Sequence, residues 1–123
     1  MAADLPFFKL IGLELVRLDI GEAEFRMEMR DDLRHPFGLL HGGVTATIID
    51  TAMAFAVRTY VEPTAPTATI DLTVHYLRPH TEGPIRCTAK VVRAGKRIFT
   101  VTSDVFNADG KLIATGLSTY TRA

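Results

Sequence analysis

The segment from His35 to Asp50 holds the residues most suited to chemistry. In it, His41-Gly42-Gly43 stands where a loop is expected to pass into a helix, so the glycine N–H groups are among the helix's unsatisfied donors. Glycine lets a bound group approach the backbone closely, and the positive end of the helix dipole favours negative charge there. A carbonyl group aimed at this point would be stabilised as it becomes an oxyanion during attack by water, and losing one such donor typically costs about 3–4 kcal/mol.

Asp50 is an acid in a stretch otherwise suited to burial. Burying its charge without a partner would be strongly unfavourable, so the residue needs a role. One interpretation is a structural aspartate that is hydrogen-bonded to a neighbouring loop, and composition alone favours it. The other is a general base or a nucleophile that acts on a carbonyl carbon.

The spacing of Gly42 and Asp50 limits how they could act together. Eight residues of helix span about 12 Å at 1.5 Å per residue. A carboxylate that attacks a carbonyl held at Gly42 must lie within roughly 3–3.5 Å of the carbon. One helix cannot meet this condition, whereas two copies related by a two-fold axis can. If both groups are catalytic, the site is composite and a symmetric dimer carries two of them.

The elements that would position these residues are one helix and six strands. The helix is predicted from His41 to about Tyr60, and because it is apolar nearly all round it must be buried on nearly all sides. Residues 31–40, with Pro36 and Gly38, are predicted to form a loop. Strands are predicted over residues 13–18, 22–29, 67–76, 85–93, 97–107 and 111–121.

Short connections such as Asp109-Gly110 indicate hairpins and therefore antiparallel pairing. One long buried helix wrapped by a curved antiparallel sheet of about six strands is the α+β arrangement called the hotdog fold. A small sheet cannot cover a helix on every side. The remaining apolar surface predicts a partner subunit.

Composition narrows the class of protein further. With 123 residues the chain is predicted to be a single domain over residues 1–123. Fourteen basic and fourteen acidic residues give a net charge of zero, which argues against a nucleic-acid partner and fits a chain that associates with itself. The single cysteine, Cys87, excludes an internal disulfide and a multi-cysteine metal site, and no histidine pair has the spacing of a zinc site.

No feature of the sequence predicts a membrane or export. The start of the chain carries Asp4 where a signal peptide needs basic charge, and no long apolar run follows. The most apolar stretch, residues 44–57, is too short to span a bilayer and contains Asp50. The expected location is the cytoplasm.

The run His-Gly-Gly, followed by an acid nine residues after the histidine on an apolar helix, resembles the phenylacetate-degradation (PaaI-like) thioesterases of the hotdog superfamily. The resemblance covers nearly the whole chain, including the strand Asp71–Pro79 and the hairpin exit Gly110–Ala114. It implies hydrolysis of an aryl- or medium-chain acyl-CoA thioester to the free acid and CoA. It implies no metal and no cofactor besides the coenzyme A of the substrate, and a homodimer that pairs into a tetramer.

The resemblance also implies roles for matching positions. Asp50 would be the catalytic carboxylate of one subunit, and the Gly42 amide of the other would polarise the thioester carbonyl. His41 would lie beside the thioester or hold the loop, and Thr69 would position the carboxylate or water. His35 stands where relatives commonly have Asn; an imidazole can donate a hydrogen bond as an amide can, but it can also take up a proton.

Several further residues are candidates for substrate binding. Gly43 and Phe37 flank the motif. Arg93, Lys96 and Arg97 flank a predicted hairpin, and although such residues usually form a solvated turn, Arg and Lys also suit the phosphates of CoA.

Three other residues are assigned structural or surface positions. His75 and His80 are predicted to be surface histidines, and Cys87 a buried, inert thiol.

Two other functions fit the same fold. A hotdog hydratase or dehydratase would have a histidine five residues after the helix acid, where this chain has Phe55. A non-catalytic acyl-CoA-binding module could use the same groove, but a binding module has no need for a buried acid such as Asp50 combined with Gly42.

Overall fold

A long helix lies against a six-stranded antiparallel sheet in the computed structural model, which describes residues 5–123. Asp4, on which the signal-peptide expectation rests, lies outside these residues. The elements are, in chain order, α1 Pro6–Ile11, β1 Leu13–Asp19, β2 Glu22–Met27, a 3-10 turn Asp31–Leu33, α2 Gly42–Arg58, β3 Thr67–Tyr76, β4 Ile85–Ala94, β5 Ile98–Asn107 and β6 Leu112–Arg122. The predicted hotdog fold is confirmed.

The strands are ordered β1-β2-β4-β5-β6-β3, and every neighbouring pair is antiparallel. The hairpin connections place β4, β5 and β6 side by side, as their short turns require. In contrast, β3 follows α2 in the chain but pairs with β6, so β1 and β3 are the two edges of an open sheet.

The core lies between α2 and the concave face of the sheet. From Val44 to Arg58 no residue of the helix is exposed, as its apolar sequence predicted. Gly116 of β6 allows this close approach, because an added Cβ would lie 2.6 Å from Ile49 Cγ2 and 2.7 Å from Met53 Cε. No helix within residues 5–123 is long and apolar enough to cross a membrane.

Two local features differ from the predictions. The short helix α1 was not predicted; it buries Phe8 against Phe25 and Phe55 of the core. Six residues are too few to show helical periodicity in a sequence, so this helix depends on the packing of Phe8 against the core. In addition β2 ends at Met27 and not at residue 29, because Met27 is the last residue paired with both β1 and β4.

The edge strand β3 has most of its apolar side chains uncovered in a single chain. Ile70 is 54% exposed and Tyr76 is 56% exposed, whereas Leu72 and Val74 pack partly against the core. The pairing with β6 is interrupted by an irregularity between Thr69 and Asp71. An exposed edge with apolar residues is a typical surface for strand addition or subunit contact.

Candidate active site

The first turn of α2 is capped by the residue that precedes it. His41 has extended backbone angles, and its Nδ1 accepts a 2.9 Å hydrogen bond from the Gly43 N–H. Its own N–H donates to the Leu33 carbonyl at 2.9 Å. Of the two roles that the resemblance implies for His41, the contacts match the one that holds the loop. The prediction that the Gly43 N–H is an unsatisfied donor is wrong, because the imidazole folds back onto it.

Gly42 is the glycine whose N–H stays available. No residue within 5–123 accepts a hydrogen bond from it, whereas the N–H groups of His41 and Gly43 on either side both have an acceptor. The Tyr76 hydroxyl donates to the Gly42 carbonyl at 2.6 Å, and its ring would lie 3.3 Å from an added Cβ. The helix N-terminus therefore presents one unpaired donor beside an aromatic wall.

A pocket of about 320 Å³ lies at this end of the helix, at the small end of the range for ligand sites. Its walls come from the loop before α2, the first turn of α2, the end of β3, the turn that follows and the start of β6. They include His35, Gly42, Tyr76, Arg78 and His80, and Asp50 is not among the lining residues.

Arg34 fixes the loop that forms one wall of the pocket. Its guanidinium donates to the carbonyl oxygens of Gly38 and Thr81, at 2.7 and 2.6 Å. It also forms ion pairs with Asp31 and Glu82, at 2.9 and 2.7 Å. The loop before α2 and the turn after β3 are thus joined by one side chain, which the sequence analysis did not single out.

His35 and Phe37 lie in this loop but in different environments. The His35 Nδ1 accepts a 3.0 Å hydrogen bond from the Phe37 N–H, and the ring lines the pocket. Phe37 is 90% exposed, so it forms no pocket wall within one chain.

Asp50 is held by two hydroxyl groups. The Thr69 hydroxyl donates to Asp50 Oδ1 at 2.9 Å. The Tyr120 hydroxyl donates to the same oxygen and, at 2.7 Å, to the Asp50 carbonyl. The contact expected for Thr69 is therefore present, whereas the contact of Tyr120 with Asp50 was not predicted from the sequence.

Burial and the hydrogen bond to Asp50 raise the pKa of Tyr120, so the phenol keeps its proton. Tyr120 lies directly opposite Thr69 in the pairing of β6 with β3. The sequence could have identified Tyr120 only through this register, and the register follows only once β3 is known to pair with the last strand.

The three cations proposed for CoA phosphates are exposed in the β4–β5 hairpin. The carbonyls of Lys96 and Arg97 accept hydrogen bonds from Arg122, which also donates to the Tyr60 carbonyl beyond the end of α2. The structure does not bring Arg93, Lys96 and Arg97 into the pocket with Gly42 of the same chain.

His80 corrects a prediction. It is only 7% exposed, its Nε2 lies 2.9 Å from the Gly83 carbonyl, and its own carbonyl accepts the Leu40 N–H. It is not a surface histidine, because the turn after β3 folds over the loop before α2. His75 is exposed, as predicted.

Cys87 is fully buried, as predicted, and desolvation raises the pKa of its thiol to about 12. Its Sγ lies 3.3 Å from the Ser103 hydroxyl. A thiol in this environment is a poor nucleophile.

Comparison with known proteins identifies the family. Residues 37–114 match the model of the thioesterase superfamily. Human acyl-coenzyme A thioesterase 13 is 34% identical over 116 residues, covering 92% of this chain and 82% of its own. The 1,4-dihydroxy-2-naphthoyl-CoA hydrolase of Listeria monocytogenes is 28% identical over 70% of each chain.

A mutant form of the phenylacetic acid degradation protein PaaI from Thermus thermophilus has a similar structure. The two superimpose with a TM-score of 0.89 at 30% identity, covering 96% of this chain and 99% of that one. The resemblance read from the His-Gly-Gly motif and the spaced acid is thus confirmed. The chain belongs to the thioesterase superfamily, with the hotdog fold of its PaaI-like members, and is a thioesterase.

Proposed function

We propose that this thioesterase hydrolyses an aryl- or medium-chain acyl-CoA ester to the free acid and CoA. Asp50 of one subunit would act on a thioester whose carbonyl oxygen is bound by the Gly42 N–H of another. The observation that carries the proposal is the unpaired Gly42 N–H at the N-terminus of α2, in the wall of a pocket. A donor fixed in this way costs no reorganisation when the carbonyl oxygen becomes an anion.

Two routes fit a carboxylate facing that carbonyl. As a general base, Asp50 takes a proton from water while the water oxygen bonds to the thioester carbon. The tetrahedral oxyanion then collapses, the C–S bond breaks, and the proton passes to the departing sulfur. As a nucleophile, the carboxylate displaces the CoA thiolate, and water then hydrolyses the mixed anhydride. Neither route requires a metal or a redox cofactor.

The separation of the two groups favours a composite site. Gly42 and Asp50 are eight residues apart on the one helix α2, about 12 Å by the rise of an α-helix. Asp50 does not line the pocket that contains Gly42. A reacting carbon must lie within about 3.5 Å of the carboxylate, so Asp50 would have to come from a second copy.

The edge strand β3 offers the surface for that copy. Tyr76 at one end of the strand contacts Gly42, and Thr69 near the other end contacts Asp50. Two β3 edges related by a two-fold axis run antiparallel, so the Tyr76 end of one copy faces the Thr69 end of the other. The exposed side chain of Ile70 would be covered in such a dimer, and two dimers would form the tetramer.

The class of substrate is supported by the relatives and by the charge of one hairpin. The names of the human and Listeria relatives both specify CoA esters, one of them with an aromatic acyl group. The Arg93, Lys96 and Arg97 hairpin lies on the Asp50 side, because Arg122, which binds its carbonyls, follows Tyr120 by two residues. Exposed Arg and Lys side chains there suit the CoA phosphates.

The first experiment is a thiol-release assay on a panel of aryl- and alkyl-CoA esters, with wild type and Asp50→Asn in parallel. We expect turnover of at least one ester and a decrease of at least about a hundredfold in the variant. If wild type bound these esters but released no thiol from any of them, the proposal would be wrong.

A subunit-mixing experiment tests the composite site. Gly42→Pro removes the N–H but suits the first helical position, since His41 already has the extended backbone that precedes proline. Neither Gly42→Pro nor Asp50→Asn homomers should be active. Refolding them together should restore about a quarter of wild-type activity, because half of the dimers would then contain one intact site.

Gly42→Ala is the matched control, because it adds the same Cβ beside Tyr76 and keeps the N–H. If the mixture showed no recovery although the two variants exchanged subunits, the site would lie within one chain.

A further inference from the structure

The Asp50 carboxylate is held through one of its two oxygens. Both the Thr69 hydroxyl and the Tyr120 hydroxyl donate to Oδ1, the first at 2.9 Å. No residue within 5–123 donates a hydrogen bond to Oδ2. The two oxygens of this carboxylate are therefore chemically distinct in the folded chain.

Tyr120 is the more rigid of the two donors. Its side chain is 1% exposed, and its hydroxyl is shared between Asp50 Oδ1 and the Asp50 carbonyl at 2.7 Å. Its backbone lies between Thr69 of β3 and Phe99 of β5 in the sheet. A buried side chain on a strand that is paired on both sides has little freedom to follow the carboxylate if it rotates, so Tyr120 defines one orientation.

Hydrogen bonds to a carboxylate oxygen withdraw electron density from it and stabilise the charge there. An oxygen that accepts two such bonds is a weaker base and a weaker nucleophile than its partner. Oδ1 is therefore suited to anchoring the group, and Oδ2 to accepting a proton or forming a bond.

We infer that Tyr120 is a positioning residue that, together with Thr69, fixes the Asp50 carboxylate through Oδ1 and leaves Oδ2 as the reacting oxygen. This inference rests on the proposed function, in which Asp50 acts on the thioester or on water. Tyr120 itself is not required to touch the substrate, because its hydroxyl already donates to two oxygen atoms of Asp50, the backbone carbonyl and Oδ1.

The main test is Tyr120→Phe, which removes the hydroxyl and keeps the buried ring. We expect kcat on the preferred CoA ester to fall by about tenfold to a hundredfold, the effect typical of a hydrogen bond to a charged group, with KM within twofold of wild type. Tyr60→Phe is the matched control, since it also removes a phenol hydroxyl, but one that lies beside Gly21 and donates no hydrogen bond to Asp50. It should leave kcat unchanged.

A double variant tests whether Tyr120 acts through Asp50. In the Asp50→Asn background, adding Tyr120→Phe should change the residual turnover by less than twofold, because the group it positions no longer reacts. A further loss of tenfold or more would mean that Tyr120 acts on something other than Asp50, and would overturn the inference.

Thr69 provides a second variant in case Tyr120→Phe does not fold. Thr69 is exposed at its position in β3, so Thr69→Val removes the other donor to Oδ1 without opening the core. We expect kcat to fall several-fold at unchanged KM, and Thr69→Ser, which restores a hydroxyl, to recover it. Loss of activity in both variants alike would contradict a hydrogen-bonding role.

The outcomes separate this inference from the function on which it rests. If wild type shows no turnover, or Asp50→Asn keeps it, the proposed function fails whatever Tyr120 does, and the inference fails with it. If Asp50→Asn is inactive but Tyr120→Phe keeps kcat within twofold, only the positioning role is overturned.

Discussion

The Tyr76 hydroxyl donates a 2.6 Å hydrogen bond to the Gly42 carbonyl oxygen, and so joins the last residue of β3 to the first residue of α2. The same ring lies against the Gly42 Cα, where a Cβ would be 3.3 Å away. The edge strand thereby holds the peptide whose N–H is proposed to bind the carbonyl oxygen. The position of that donor depends on a residue outside the His-Gly-Gly motif.

Tyr76→Phe should lower kcat/KM by about two- to tenfold, the range expected for one neutral hydrogen bond, and leave the fold intact. The ring would stay in the pocket wall, and only the tie to Gly42 would be lost. Steady-state kinetics on the preferred CoA ester measure this, with Tyr60→Phe as the control for removing a phenol hydroxyl. An unchanged kcat/KM would show that Gly42 is held without Tyr76.

Arg34→Lys should loosen the loop before α2 although the charge is kept. A single ammonium cannot reproduce all of the guanidinium contacts, because Nη1 donates to the Gly38 and Thr81 carbonyls while Nε and Nη2 pair with Asp31 and Glu82. Native-state hydrogen exchange should show faster exchange of the His35 and His41 amides, which bond to Leu39 and Leu33 within this region. Exchange rates equal to those of wild type would mean that the loop is held by its backbone contacts alone.

Gly116→Ala should destabilise the protein by about 1–3 kcal/mol, because the new methyl group would overlap Ile49 and Met53. Urea unfolding measures the free-energy change, and Gly116→Val should cost more than Gly116→Ala if overpacking is the cause. Equal stability of all three proteins would contradict the close packing of α2 on β6.

The free energy of unfolding of the protein should fall as the pH rises above 9. In the unfolded chain the pKa of the Cys87 thiol is near 9.0. In the folded chain burial is the main cause that raises this pKa to about 12, so between pH 9 and 12 only the unfolded chain loses the proton. For this group alone the free energy of unfolding decreases by about 1.4 kcal/mol per pH unit.

The control for this prediction is Cys87→Ala, which lacks the titrating group. Its stability in urea should decline less steeply than that of wild type between pH 9 and 12. Part of the decline should persist, because the pKa of Tyr120 is also raised by burial and by its hydrogen bond to Asp50. Identical slopes for the two proteins would show that Cys87 is accessible to ionisation in the fold.

Periodicity and turn residues were sufficient to predict the main elements. The helix predicted over 41–60 occupies Gly42–Arg58, and all six predicted strands are present. These features depend on local pattern and on hairpins such as Asp109-Gly110, which a sequence displays directly. The contact between Thr69 and Asp50 came from family resemblance rather than from pattern.

The features that were missed depend on contacts between distant segments. Tyr120 lies beside Thr69 because β6 pairs with β3, and Tyr76 bonds to Gly42 because β3 lies against the start of α2. Neither contact follows from neighbouring residues in the sequence. His80 is buried by the loop before α2. The Gly43 N–H is occupied because the His41 ring turns back onto it, a choice of side-chain rotamer that spacing cannot reveal.

The strand β3 touches both chemical groups, through Thr69 at one end and Tyr76 at the other. Any substitution that slides or twists this strand would therefore move the carboxylate and the amide together. The exposed tip of the loop at Phe37 contacts neither group, so a substitution there can change the surface of the chain and leave both groups in place.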